Sequence, residues 1–193
     1  MRVLKTSIDK VDSAIVNEAI EVLADGGVVL YPTDTVYGLA ANIFDNKAVR
    51  RVFEIKKRSY LKPLSIIVSD LSAINLVAKI SNYQREIISN YLPGPYTFIL
   101  NKQKIVPRAV TSGSEYVGVR IPDCRIACAL AKIFPITTTS ANLSDREVLQ
   151  TPSEILDQLN QDVDLVIDAG PISSKRPSVI VDLTSNNPKI VRR

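Results

Sequence analysis

DSAIVNEAIEVLADGGVVLYPTDTVYGL, residues 12–39, decides the fold class. From Asp12 to Ala24 the apolar residues Val16, Ala19, Ile20 and Leu23 recur at helical spacing, and Gly26–Gly27 supply the left-handed stop that ends a helix. The helix therefore feeds Val28–Tyr31, a short β-branched run bounded by turn residues, as expected for a strand covered on both faces. Further runs of this kind occur at 65–68, 98–100, 117–119, 165–167 and 179–181, with helical patterns at 47–57, 71–79, 82–91, 125–133 and 153–159 between them. Strands alternating with helices mean an α/β fold. The strands at 98–100 and 117–119 have no convincing helix between them. Those at 179–183 and 189–192 are separated by the turn Ser185–Pro188. Both pairs are expected to be antiparallel, which makes the sheet mixed.

At 193 residues the chain has the length of one large domain, and no repeat, low-complexity tract or Ser/Gly linker divides it. No apolar run approaches the roughly 20 residues of a membrane span, and MRVLKTSIDK at the start lacks the pattern of a secretory signal. Two cysteines are too few for a disulfide framework, so a cytoplasmic protein without a membrane partner is expected. The chain contains no histidine. That excludes Ser-His-Asp and Cys-His catalysis, imidazole bases and His-containing metal sites. A net charge of +4 favours anionic partners only mildly.

Neither G-x-G-x-x-G nor a complete phosphate loop is present, because Gly113 to Gly118 is followed by Val119–Arg120 rather than Lys-Ser/Thr. Four other features could carry chemistry. YPTDTVYGL, residues 31–39, places two hydroxyls, a carboxylate and two phenols at the carboxyl end of a strand, where open α/β sheets bind ligands; on composition alone a turn capped by its own side chains is the favoured reading. Residues 47–62 hold seven basic side chains against one acid, and Lys56 and Arg58 can converge on one anion only if the helix ends around them. In the row Thr137–Asn142, strand alternation would present Thr138, Ser140 and Asn142 on one side. Arg120, inside an apolar strand, needs an anionic or carbonyl partner if buried: a bound carboxylate or an internal aspartate. Cys124 and Cys128 read as core packing, and Asp162, Asp164 and Asp168 as a solvated strand flank.

Taken together, YPTDTVYGL, KKRSYLKPLSIIV (56–68), LPGPYTFIL (92–100), VGVRIP (117–122) and TTTSANLS (137–144) resemble the YrdC-like family of threonylcarbamoyl-AMP synthases, over about residues 12–192. The resemblance implies a single YrdC-like domain over residues 1–193, without a C-terminal accessory domain. Its fold would be three-layered, a twisted parallel and antiparallel sheet flanked by helices, with a large open basic cavity. It also implies a reaction in which L-threonine, bicarbonate or CO2, and ATP give threonylcarbamoyl-AMP and pyrophosphate. This is the first step toward threonylcarbamoyladenosine in tRNA, so tRNA or a downstream tRNA-modifying complex is the implied partner, and Mg2+ arrives with ATP.

Carried over by motif, Lys56 and Arg58 would hold ATP phosphates and serve catalysis, with Asn142 and Arg192 also contacting the nucleotide. Thr33, Thr35, Arg120, Ser140 and Ser178 would form the threonine pocket. Arg176-Pro177-Ser178-Val179 departs from the family's commoner acidic-Ser-Thr pattern, and the chain stops at Arg193. The lack of histidine suits this chemistry, since the threonine amine attacks CO2 and the carbamate oxygen attacks the α-phosphate. A rival expectation is a non-catalytic RNA-binding paralogue of the same fold, whose basic rim follows a phosphate backbone.

Overall fold

A computed structural model of the protein describes residues 1–174, 176–185 and 187–192. Asn186, in the turn expected at 185–188, lies outside the described residues, as do Lys175 and Arg193. The chain opens in a strand that periodicity did not reveal, β1 (Arg2–Lys5), an exposed edge parallel to a later strand. Asp12 then caps α1 (Ser13–Ala24) by accepting from the backbone N–H groups of Ala14 and Ile15. Gly26, at φ +82°, turns the chain out of the helix in the left-handed conformation that a Cβ would oppose. The run that follows is β2 (Val29–Tyr31), and β3 (Gly38–Ala40) returns antiparallel to it.

The remainder runs α2 (Asn46–Ile55), β4 (Ser65–Ile67), α3 (Ile74–Val77), β5 (Ala78–Lys79), α4 (Asn82–Tyr91), β6 (Tyr96–Lys102), α5 (Arg108–Thr111), β7 (Tyr116–Arg120), α6 (Arg125–Leu130), β8 (Ile136–Thr138), α7 (Pro152–Leu159), β9 (Leu165–Asp168), β10 (Val179–Asp182) and β11 (Lys189–Arg192). Two sheets result, β1-β9-β2-β3 and β11-β10-β6-β7-β4-β8, with β5 beside β6. They meet where β3 runs antiparallel to the segment around β8. Leu39 N–H donates to Thr139 O (3.0 Å), Thr137 N–H to Ala41 O (2.8 Å) and Ala141 N–H to Tyr37 O (2.8 Å). The β6–β7 and β10–β11 pairs are antiparallel, as expected, whereas β9 lies parallel to β1 and β2 and β4 parallel to β7. The sheet is mixed.

Strand alternation sorts the core into two layers. Val29, Tyr31, Leu165 and Ile167 face Val16, Ala19 and Leu23 of α1 and Ile126, Ala127 and Leu130 of α6. Leu30, Val166, Ile66 and Val119 face the other way, onto Val52 and Phe53 of α2, Ile88 of α4 and Ile155 and Leu159 of α7. Helices therefore cover both sides of the sheet, the three-layer arrangement. Among the described residues no helix is long and apolar enough to cross a membrane.

Three expectations need correction. The helix expected over 71–79 shrinks to α3, because the Asp70 carboxylate accepts from the backbone of Ser72 and Ala73 and holds the start as a turn, while Ala78–Lys79 pair with β6. The helix expected to reach 133 ends at Leu130. The strand at 179–181 was expected to be covered on both faces, but in β10 only Val181 is buried, because β10 lies beside the wholly exposed edge strand β11.

Candidate active site

The turn after β2 is built by its own hydroxyls. Thr33 donates to Val36 O (2.6 Å) and accepts from the backbone N–H groups of Thr35 and Val36. With the Thr33 proton committed, the Thr33–Thr35 hydroxyl contact of 3.1 Å must be donated by Thr35. Thr35 Oγ1 in turn accepts from Nη1 of Arg120 at 2.9 Å. Both threonines are buried. The self-capped turn and the polar site are thus the same structure.

Arg120, at the end of β7, is also buried, and it finds the internal aspartate that burial demands. Nη2 donates to Asp34 Oδ1 (2.6 Å) and Nε to Gly94 O (3.3 Å). A guanidinium carries five N–H groups, and these contacts use three. Two remain for a ligand, and Arg120 borders the cavity between the sheets.

At the end of α2, Lys57 N–H donates to Glu54 O and Arg58 N–H to Phe53 O, with Lys57 left-handed at φ 48°. This Schellman turn ends the helix at Lys56 and sends Lys56 and Arg58 in different directions. Arg58 borders the cavity, its Nε and Nη2 pinned to the carbonyls of Lys62 and Pro63 (both 2.9 Å). Lys56 instead turns inward and is 1% exposed. Its ammonium donates to Ser140 O, to Asn142 O (2.6 Å) and to Asn142 Oδ1 (3.3 Å). Burial, reinforced by the Arg58 charge, lowers its pKa from 10.5 to about 7.

Asn142 is saturated in the same network. Its amide donates to the carbonyls of Leu143 (2.9 Å) and Arg146 (2.7 Å), and its oxygen accepts from the Ser140 hydroxyl (2.6 Å) as well as from Lys56. Lys56 and Asn142 are therefore the floor beneath Ser140, which borders the cavity. The strand alternation expected across 137–142 holds only to Thr138, where β8 ends. Thr137 packs inward, Thr138 and Thr139 both border the cavity, and Asn142 folds under it. Thr138 also accepts from Tyr31 Oη (3.0 Å), a phenol whose pKa burial raises strongly, so it stays a neutral donor.

On the opposite wall the hydroxyls of Thr97 and Ser178 meet at 2.8 Å, and Arg192 Nη2 donates to Ser178 O at 2.8 Å. The cavity encloses about 690 Å3, counting the space open to solvent at its mouth. Among the described residues three guanidinium groups, from Arg58, Arg120 and Arg192, border it, and no carboxylate does. Of the residues singled out from sequence, Thr33, Arg58, Arg120, Ser140, Ser178 and Arg192 border this space, Thr35 stands behind Arg120, and Lys56 and Asn142 lie under the floor. Thr97 and Ser65 were missed. A threonine or serine in a strand carries no signal until its neighbour is known, and here the neighbours are Ser178 and Gly118.

Gly118 shows how tightly this wall is made. A Cβ there would lie 2.6 Å from Ser65 Oγ and 3.2 Å from Thr97 Cγ2, both cavity residues. Gly118→Ala is expected to cost about 1–3 kcal/mol of stability, measured by urea unfolding, as overpacking usually does. An unchanged unfolding midpoint would contradict the close approach.

The comparisons with known proteins agree with this architecture. A family model described as "Telomere recombination", covering the Sua5, YciO and YrdC proteins, matches residues 21–193. A putative threonylcarbamoyl-AMP synthase of Methanocaldococcus jannaschii is 42% identical over 161 residues, 83% of this chain and 76% of that protein. The solved Escherichia coli YciO superposes with a TM-score of 0.91 at 33% identity, covering 100% of this chain and 96% of that one. The Pyrococcus abyssi Sua5 structure complexed with L-threonine superposes with a TM-score of 0.93 at 30% identity. All of this chain matches it, but spans only 57% of its length. The chain belongs to the YrdC/Sua5/YciO family.

Proposed function

We propose that the protein forms threonylcarbamoyl-AMP from L-threonine, bicarbonate or CO2, and ATP, releasing pyrophosphate for the tRNA threonylcarbamoyladenosine pathway. The observation that carries this reading is a basic cavity in which Arg120 keeps two N–H groups available beside hydroxyls, while Arg58 and Arg192 border the same space. The likeness to a Sua5 structure containing L-threonine supports it. Arg120 would take the threonine carboxylate, with Ser178 and the Thr33–Thr35 turn shaping the pocket. Arg58 and Arg192 would take the triphosphate.

The threonine nitrogen forms a bond to CO2 and loses a proton, and a carbamate oxygen then attacks the α-phosphorus as the bond to the pyrophosphate oxygen breaks. No protein nucleophile is needed. Holding the reactants in place can remove about 7–11 kcal/mol of barrier, and fixed guanidinium groups neutralise charge on the leaving pyrophosphate. Lys56 and Asn142 contribute by fixing Ser140 and its loop from below. Mg2+ would enter bound to the triphosphate, with phosphate oxygens and water as its ligands, as Mg2+ on nucleotides usually keeps several waters.

The test is pyrophosphate release from ATP. It is expected to require both threonine and bicarbonate, and to be slower with serine, which lacks the methyl group that fills the pocket. Arg58→Ala is expected to raise the KM for ATP about tenfold or more, the value of a charge-assisted hydrogen bond. Absence of turnover, together with salt-dependent RNA binding that survives Lys56→Ala and Arg58→Ala, would overturn the synthase reading in favour of an RNA-binding paralogue.

A further inference from the structure

A second groove, of about 1010 Å3 including the space open to solvent, lies between α2, α5 and the loop that joins α2 to β4. That loop separates it from the cavity: Arg58, Pro63 and Leu64 border the cavity, Tyr60 borders the groove, and Leu64 N–H donates to Val110 O of α5 at 2.9 Å. Arg50 and Arg108 line the groove and are exposed. Neither guanidinium has an ion-pair or hydrogen-bond partner among the described residues. Tyr60 is 54% exposed, and its inner side rests on the buried Phe53, with ring centroids 5.0 Å apart. The Ser112 hydroxyl lines the same groove, buried and without a hydrogen-bond partner.

Each feature is odd alone and coherent together. Two unpaired cations call for an anion, a ring braced from behind and open in front calls for a flat partner, and a buried hydroxyl calls for a polar group to complete it. Among the described residues no acid lines the groove itself; Glu54 stands beside it and accepts from Tyr60 Oη at 3.4 Å. A nucleotide joins a flat, polar-edged ring to an anion and so answers all three. We infer that this groove binds a nucleotide, its base stacked on Tyr60 and its phosphate held by Arg50 and Arg108. Stacking on an aromatic ring beside paired arginines is the common physics of nucleotide capture without base readout. The same chemistry fits a free mononucleotide and one unit of a single strand, and it does not depend on the reaction proposed for the cavity.

The experiment uses the full chain carrying Arg58→Ala, which weakens nucleotide binding in the cavity, with threonine present in excess and no competing nucleotide. Two probes are titrated by fluorescence and calorimetry: AMP, and a labelled pentauridylate. Binding of AMP identifies a free nucleotide as the ligand, and binding of the oligonucleotide alone identifies a strand; either supports the inference. Arg50→Ala and Arg108→Ala are each expected to weaken binding about tenfold, Tyr60→Ala by a similar factor, and Tyr60→Phe by less than about twofold because the ring face remains. A 5-bromouridine probe is expected to crosslink to Tyr60 on irradiation.

These side chains are exposed, and circular dichroism checks that the variants fold. Arg108→Ala is expected to leave pyrophosphate release unchanged, and the binding result stands even if no pyrophosphate is released by any form. No binding of either probe would overturn the inference. So would equal binding by Tyr60→Ala, which means charge attraction alone, or a concentration-dependent dimer abolished by the arginine substitutions, which assigns the groove to a second copy.

Discussion

Arg120→Ala is expected to lower stability by about 3–5 kcal/mol and to raise the KM for threonine far more than the KM for ATP. The guanidinium and the Asp34 carboxylate are 5% and 13% exposed, and removing one partner of such a pair strands the other charge out of water. Thr35 also loses the donor that orients its hydroxyl, and Gly94 O loses a partner. Urea unfolding of Arg120→Ala, Asp34→Ala and the double variant tests the pairing. The double variant is expected to be less destabilised than the sum of the singles, because it leaves no stranded charge. Equal loss of threonine and ATP affinity in Arg120→Ala would contradict the role assigned to it.

Lys56→Met is expected to reduce pyrophosphate release about 100-fold or more, although Lys56 does not border the cavity. Methionine fills similar space but donates nothing: Asn142 O loses its only donor among the described residues, at about 1–3 kcal/mol, while Ser140 O keeps Asn142 N–H and Asn142 Oδ1 keeps the Ser140 hydroxyl. The loop beneath the site then loses its anchor. A pH signature separates this role from a purely local defect. An unfolded lysine keeps its proton to about 10.5, whereas burial brings the folded value to about 7. Between those values the unfolded chain binds more protons, so this group's contribution to stability rises with pH, and below about 7 it is flat. The wild-type stability measured against Lys56→Met is therefore expected to increase from pH 7 to 10. A difference independent of pH would refute the assignment.

The sequence and the structure agree most closely where the information is local. The helix at 82–91 appears with those bounds because Ser81 and Gln84 form a reciprocal cap around an amphipathic face, and the strand expected at 189–192 is likewise exact in extent. The false helix at 71–79 came from apolar spacing that real contacts satisfy as a turn, a four-residue helix and a strand pair. At the site, residue patterns and the family resemblance pointed to segments that the fold gathers around one cavity, but not to the orientation of their side chains. Lys56 sits in a basic run that reads as solvent-exposed, and only a loop 84 residues further along the chain turns it inward. Arg120 was recognisable as needing a partner, yet the choice between a ligand and Asp34, 86 residues away, required the fold. Thr97 became visible only once β10 lay beside β6.

The most direct measurement is a crystal structure grown with L-threonine and α,β-methylene-ATP. Threonine is expected with its carboxylate on Arg120 and its nitrogen facing the α-phosphate, and the triphosphate against Arg58 and Arg192, with the Lys56–Asn142 contacts intact beneath. Density for either molecule outside this cavity alone, or for both inside it with Arg120 and Arg58 untouched, would overturn the proposed threonine and triphosphate sites.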